Sequence, residues 1–219
     1  LPFRAATPAV AARLYPHHRC AIDPRAAIPK ENCMSLDDLK GQLPDYAKDL
    51  RLNLDSVLSE SGAPGLNPKQ IAIIALASAI ASRYEPLTSA IAERVAASLS
   101  EAEANAARAA AAIMAMNNIY YRFTHLVGDP EYATLRANLR MNVMANPGAE
   151  KVDFELASLA VSAINGCGMC MESHEKTLKK HNVPALAIQS AARIAAVLHA
   201  VAVTLEQAKA SAPALAAAA

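Results

Sequence analysis

From Met34 onward, apolar residues recur every three or four positions in blocks divided by Pro, Gly and Asn, so the pattern predicts helix after helix rather than strands. Ser35-Leu36-Asp37-Asp38 supplies an N-cap residue with acids in the first turn and opens a short helix that Pro44 ends. A second helix is expected from Asp45 to about Ser59, with Tyr46, Leu50, Leu54, Val57 and Leu58 at helical spacing. After the loop Ser61-Gly62-Ala63-Pro64-Gly65, Asn67 caps a helix carrying Pro68 in its first turn and Ile71, Ile74, Ala75 and Ile80 inside it. Glu85-Pro86 is read as its interruption, and a further helix runs to about Leu99.

Ser100-Glu101-Ala102-Glu103 has capping-box form and starts a long alanine-rich helix, predicted to reach Val127 before Gly128-Asp129-Pro130 stops it. Met114, Met116, Ile119 and Tyr120 within it read as core or interface packing. A further segment ends at Asn146-Pro147-Gly148, and a helix from Val152 ends at Asn165-Gly166. Asn182-Val183-Pro184 makes the next break, and a last helix reaches about Lys209, leaving an alanine-rich tail over 211–219 that is expected to fray.

Composition supports an all-α reading. Apolar residues make up 53% of the chain but aromatics only 4%, and the alanine behind that difference favours closely packed helices over a sheet of β-branched and aromatic residues. The length suits one substantial core. A weak echo at an offset of 84 aligns Ser78-Ala79-Ile80 with Ser162-Ala163-Ile164, and would place Ile71 opposite Glu155, Arg83 opposite Cys167, Pro86 opposite Cys170 and Ala90 opposite His174. Two related helical halves are one explanation and chance is the other.

No run of 18 or more residues reads as apolar enough to span a bilayer, and no basic stripe with aromatic partners accompanies the formal net charge of +1. Neither a membrane nor a nucleic acid is expected as a partner. Residues 1–33 differ from the rest: five prolines, and five basic residues against Asp23 and Glu31. An over-extended start, a transit-like segment and a docking arm all remain open for them. The core domain is therefore placed at 34–210.

The candidate chemistry lies in Cys167-Gly168-Met169-Cys170 with His174 following. Residues three apart on a helix share a side, with Cα atoms ~5 to 6 Å apart, within reach of a disulfide. His174 falls four after Cys170 and seven after Cys167, on that same face, so one imidazole can serve either sulfur. If Gly166 ends the preceding helix, both thiols stand in the first turn of the next, where unpaired N–H groups favour a thiolate. Glu155, 12 residues before Cys167, would lie ~18 Å away along one straight helix. Only a chain reversal at Asn165-Gly166 brings it beside His174, giving a relay from Glu155 through His174 to a cysteine, directly or through water. Without a secretory signal, a lone CxxC in a helical chain fits redox chemistry in a reducing, cytoplasmic compartment.

Other readings of these residues carry their own requirements. A zinc site needs two ligands more than the CxxC supplies, and Cys20 and Cys33 are the available thiols. Inert core cysteines would need no histidine on their face. Glu172, Glu175, Lys176, Lys179 and Lys180 read as a solvated face; His125, His181 and His199 as capping or packing groups; and Asn117, Asn118 and Asn142 as buried hydrogen-bonding groups.

Several separate stretches in order carry a family resemblance: Leu43-Pro44-Asp45-Tyr46-Ala47-Lys48-Asp49, Met114-Ala115-Met116-Asn117-Asn118, Leu139-Arg140-Met141-Asn142, Ala145-Asn146-Pro147-Gly148, and Phe154-Glu155 through Ser162-Ala163-Ile164-Asn165-Gly166-Cys167. From about Met34 to Lys209 the chain resembles the AhpD family of alkyl hydroperoxidases, within the carboxymuconolactone decarboxylase-like superfamily. The resemblance implies an all-helical, homotrimeric protein with no bound cofactor. It also implies a CxxC that reduces organic hydroperoxides and recharges a peroxiredoxin of the AhpC type. Dihydrolipoamide would be the electron donor, carried on a lipoylated acyltransferase and kept reduced by dihydrolipoamide dehydrogenase. By position, Glu155, Cys167, Cys170 and His174 match the family's catalytic glutamate, cysteines and histidine; in that scheme Cys170 attacks the peroxide and Cys167 resolves the sulfenic acid as a disulfide. The sequence departs at Met169, where the best-known relatives carry a second histidine, which bears on peroxidase rate more than on disulfide exchange. A carboxymuconolactone decarboxylase-like enzyme acting on a lactone ring, and a redox-sensing or zinc-holding adaptor without turnover, are the alternatives.

Overall fold

The computed structural model describes residues 34–216, and over these the chain is all-α, without a strand among the described residues. The leader with Cys20 and Cys33, and the end of the alanine tail, lie outside them. The helices are α1 Leu36–Gly41, α2 Lys48–Val57, α3 Pro68–Ala81, α4 Glu85–Val95, α5 Glu101–Leu126, α6 Glu131–Thr134, α7 Lys151–Ile164, α8 Gly168–Lys180 and α9 Ala185–Ala216. Short 3₁₀ turns occupy Asp45–Ala47 and Asn142–Met144.

Polar start signals hold at atomic level. Ser35, Asn67 and Ser100 each accept the N–H three residues on, while the side chains of Asp38, Gln70 and Glu103 reach back to the capping residue's own N–H. Pro86 does not interrupt a helix as expected from sequence; it sits in the first turn of α4, where its missing N–H costs nothing. Tyr46 does not join the apolar face of α2 but is 78% exposed, because Asp45–Ala47 form a separate 3₁₀ turn. The last helix runs beyond Lys209 to Ala216.

Helices α3 and α7 form the centre. Every residue from Ile71 to Ala79 and from Asp153 to Ser162 is buried, and the two helices pack on each other and on α5 and α9. Alanines at 72, 75, 77, 79, 157 and 160 let neighbouring backbones approach closely, while Ile73, Ile74, Leu76, Phe154 and Leu156 fill the space between. Truncating one of these large side chains to Ala removes about 2–5 kcal/mol. The buried carboxylate of Asp153 joins α7 to the start of α3, accepting from Gln70 Nε2 at 2.9 Å and pairing with Lys69 Nζ at 3.1 Å.

The expectation that no stretch could cross a bilayer does not hold for α9. Ala185–Ala210 is long and apolar enough by length and composition, at mean hydropathy 1.7, because a lone interrupting charge such as Arg193 does not outweigh the Ala, Val and Leu around it. Half of that window is buried inside the bundle, including Ile194, Leu198, Val201 and Leu205, where α9 packs on α2, α3 and α7.

The two segments of the internal echo, Ser78-Ala79-Ile80 and Ser162-Ala163-Ile164, each lead into a break built on a residue with positive φ. The break between α3 and α4 turns on Arg83 at φ 61°, and that between α7 and α8 on Gly166 at φ 68°. Aligning these residues gives an offset of 83, not 84, which sets Ala72 opposite Glu155, Leu87 opposite Cys170 and Ile91 opposite His174. All six are buried, so the first half holds hydrocarbon where the second holds thiol, imidazole and carboxylate. An arginine in the left-handed region costs about 1 kcal/mol that glycine does not.

Candidate redox site

The reversal that the Glu155 assignment depends on is present. Asn165 ends α7, Gly166 takes the left-handed conformation, and two hydrogen bonds close the turn: Gly166 N–H to Ala163 O at 3.2 Å and Cys167 N–H to Ser162 O at 3.1 Å. Cys167 thereby finishes one helix and caps the next, its sulfur accepting the Cys170 N–H at 3.3 Å. Cys167 and Cys170 form a disulfide with Cα atoms 5.3 Å apart. Cys167 is wholly buried, whereas Cys170, the third residue of α8, lines a cleft of about 290 Å³.

Four residues further along α8, His174 lines the same cleft. Its Nδ1 lies 2.6 Å from Glu155 Oε2, and the other carboxylate oxygen lies 2.8 Å from Lys151 Nζ. Lys151 also donates to Met144 O at 3.0 Å, tying this chain of charges to the segment before α7. Burial pushes the Glu155 carboxyl up, but hydrogen bonds from His174 and Lys151 outweigh it and leave the group below its ordinary value of 4.5. An ionised carboxylate only accepts, so Nδ1 carries the proton of this hydrogen bond and Nε2 is the ring nitrogen left to exchange a proton. That Nε2 faces Met114 Sδ at 3.3 Å.

All four residues singled out from the sequence thus gather at one break in the chain, although His174 touches Met114 rather than a cysteine sulfur. Met169, between the two cysteines, is 37% exposed and lines the cleft. Glu172 and Glu175 pair with Lys176 and Lys179 on the outer face of α8, as a solvated face should. His181 caps α8, while His125 and His199 are exposed.

Asn117 and Asn118 are buried, but Asn142 is exposed in its 3₁₀ turn, where the chain has no helix to bury it. Asn118 donates to Ser162 Oγ at 2.9 Å and accepts from Asn165 Nδ2 at 2.9 Å, bracing the end of α7. Arg122 donates to Asn165 O from the same side. Ile119 is 63% exposed and takes no part in the core of the bundle.

Sequence reading missed Lys151 and treated Met114 as packing alone. Lys151 had a local signal, since it stands four residues before Glu155. Met114, Asn117, Tyr121 and Met144 enter the cleft by tertiary packing of α5 and of the 128–150 segment, which no spacing along α8 could announce.

The carboxymuconolactone decarboxylase family model matches residues 130–213. The alkyl hydroperoxide reductase AhpD of Streptomyces avermitilis is 56% identical over 173 residues, covering 79% of this chain and 96% of the relative. Those of Bradyrhizobium sp. (strain BTAi1) and Gluconacetobacter diazotrophicus are 52% identical over 180 residues and 55% over 177, covering 98% and 96% of their lengths. With an all-α fold and a redox-capable thiol pair at the centre of the matched region, the chain belongs to the AhpD family and is an oxidoreductase of the peroxidase type.

Proposed function

We propose that this protein is a thiol-dependent hydroperoxide and disulfide reductase in which Cys170 attacks, Cys167 resolves, His174 handles the proton and Glu155 holds the imidazole. The observation that carries this reading is the shared cleft of Cys170 and His174, with His174 oriented from behind by a buried carboxylate. In the reduced protein, Nε2 of His174 takes the Cys170 proton, directly or through one water. The thiolate attacks the outer peroxide oxygen, forming an S–O bond as the O–O bond breaks. The departing alkoxide takes back from His174 the proton first removed from Cys170, directly or through the same water, and leaves as an alcohol. Cys167 then attacks the sulfenic acid sulfur, water leaves, and the disulfide forms. Buried at the start of α8, Cys167 is placed for this second step and shielded from the first.

The cleft suits an alkyl hydroperoxide. Met114, Met144 and Met169 give it adaptable apolar walls. Two electrons restore the dithiol, and dihydrolipoamide, itself a dithiol that closes to a ring disulfide, is the donor. It reaches the site on a lipoylated acyltransferase served by dihydrolipoamide dehydrogenase. Disulfide exchange at Cys170 also passes electrons to a peroxiredoxin of the AhpC type, and the cycle belongs to a reducing compartment such as the cytoplasm. Phe123, Leu126, Val127 and Leu135 are each exposed apolar side chains, and that exposure supports self-association as a homotrimer.

Peroxide-dependent oxidation of dihydrolipoamide tests the proposal. Turnover in wild type that is lost in Cys170→Ser and in Cys167→Ser supports it, and turnover that survives both substitutions overturns it. Turnover of a lactone by the double variant would favour the decarboxylase reading.

A further inference from the structure

A second cleft, of about 330 Å³, lies on the other side of α5 and shares no residue with the redox cleft. Its walls are apolar in part, from Ala81, Ala115, Ile119 and Ile164, and its polar lining includes Arg83, Arg122 and His199. No acidic side chain pairs with any of these three among the described residues. Glu85, the acid nearest Arg83 in sequence, accepts instead from Ser89 Oγ at 2.6 Å. Arg122 spends one N–H on Asn165 O and keeps its remaining donors.

The second observation is the backbone of Arg83. It holds φ 61°, a conformation that favours glycine, at the break between α3 and α4. Strain retained at a position that glycine would relieve indicates a side chain used for something other than folding. Here that side chain is a guanidinium at a concave, partly apolar pocket of small-molecule size.

We propose that this cleft binds a small molecule through an oxyanion, a carboxylate or a phosphate monoester, gripped by Arg83 and Arg122 with the apolar wall receiving its carbon skeleton. Guanidinium forks match the paired oxygens of both groups. The site is distinct from the thiols, yet it abuts the turn that carries Cys167, because Asn165 lines it and Arg122 holds the Asn165 carbonyl.

Calorimetric titration of the full oxidised chain at low ionic strength, with inorganic phosphate and with hexanoate, tests this. Wild type is expected to bind at least one of them saturably, and Arg83→Gly and Arg122→Gln are each expected to weaken it about tenfold or more. Arg83→Gly keeps the test independent of folding, since glycine fits φ 61° and the variant should melt at or above the wild-type temperature. Tighter binding of phosphate identifies a phosphate monoester as the ligand class, and tighter binding of hexanoate a carboxylate. Absence of saturable binding of both anions by wild type, or affinity unchanged in Arg83→Gly, overturns the proposal.

Discussion

Nε2 of His174 lies 3.3 Å from the thioether sulfur of Met114, on the side of the ring away from Glu155. A thioether is a weak partner, so this nitrogen is neither capped by a strong hydrogen bond nor left in open water. It is held at the wall of the cleft that Cys170 also lines, free to exchange its contact for a thiol or a bound water once the disulfide is reduced. Glu155 fixes this arrangement by claiming the other nitrogen.

Glu155→Gln keeps the shape and removes the charge. The neutral amide no longer enforces a proton on Nδ1 and leaves Lys151 without its buried carboxylate partner. Peroxide kcat/KM is predicted to fall about a hundredfold, with the fold retained by circular dichroism. A loss of less than about threefold would show that the imidazole needs no carboxylate.

The same carboxyl sets a pH dependence of stability. Its value in the folded chain lies below 4.5, so it binds protons less readily folded than unfolded. Its contribution is fully present above the unfolded value and is lost as pH falls through the folded one. The stability gap between wild type and Glu155→Gln, measured by urea unfolding, is therefore predicted to narrow as pH is lowered from about 6 to about 3. A gap that widened on acidification would contradict the hydrogen-bonded, ionised Glu155 described above.

Most of this site could be read from one stretch of sequence, because its geometry is local. The CxxC spacing, His174 on the same face and a glycine at the turn all follow from helix periodicity and the conformational freedom of Gly166. Glu155 was legible only through a reversal that the sequence suggested, and the Gly166 turn supplies it. Met114 and Lys151 fell outside that logic for different reasons: one arrives from a helix 60 residues away, and the other reaches the site only through its contact with Glu155. The helices were legible where caps and apolar periodicity agreed. Pro86 misled because proline ends a helix and starts one equally well.

Met169→His would add an ionisable group to the lining of the cleft. Proton delivery to the departing alkoxide is the step it can assist, so peroxide turnover is predicted to rise about tenfold, while reduction of the disulfide by dihydrolipoamide stays within about twofold. Stopped-flow measurement of the two half-reactions separates them. Equal acceleration of both would place the effect on Cys170 itself rather than on the leaving group.

Asn118→Ala deletes both the donor to Ser162 and the acceptor for Asn165, leaving a buried hydroxyl and a half-buried amide without these partners at the end of α7. A loss of about 2 kcal/mol in urea unfolding is predicted. Asn118→Ala as stable as wild type would mean that water replaces the side chain and that the network does not brace the turn.

The central claim is that Cys170 is the attacking thiol and Cys167 the resolving one. Reduced Cys167→Ser treated with a single equivalent of an alkyl hydroperoxide, followed by peptide mass spectrometry with a sulfenic acid trap, reads it directly. The predicted result is one added oxygen trapped on Cys170, with an equal amount of alcohol released. Unmodified Cys170 with the peroxide intact would contradict the account, as would oxidation confined to the reduced Cys167 thiol in Cys170→Ser.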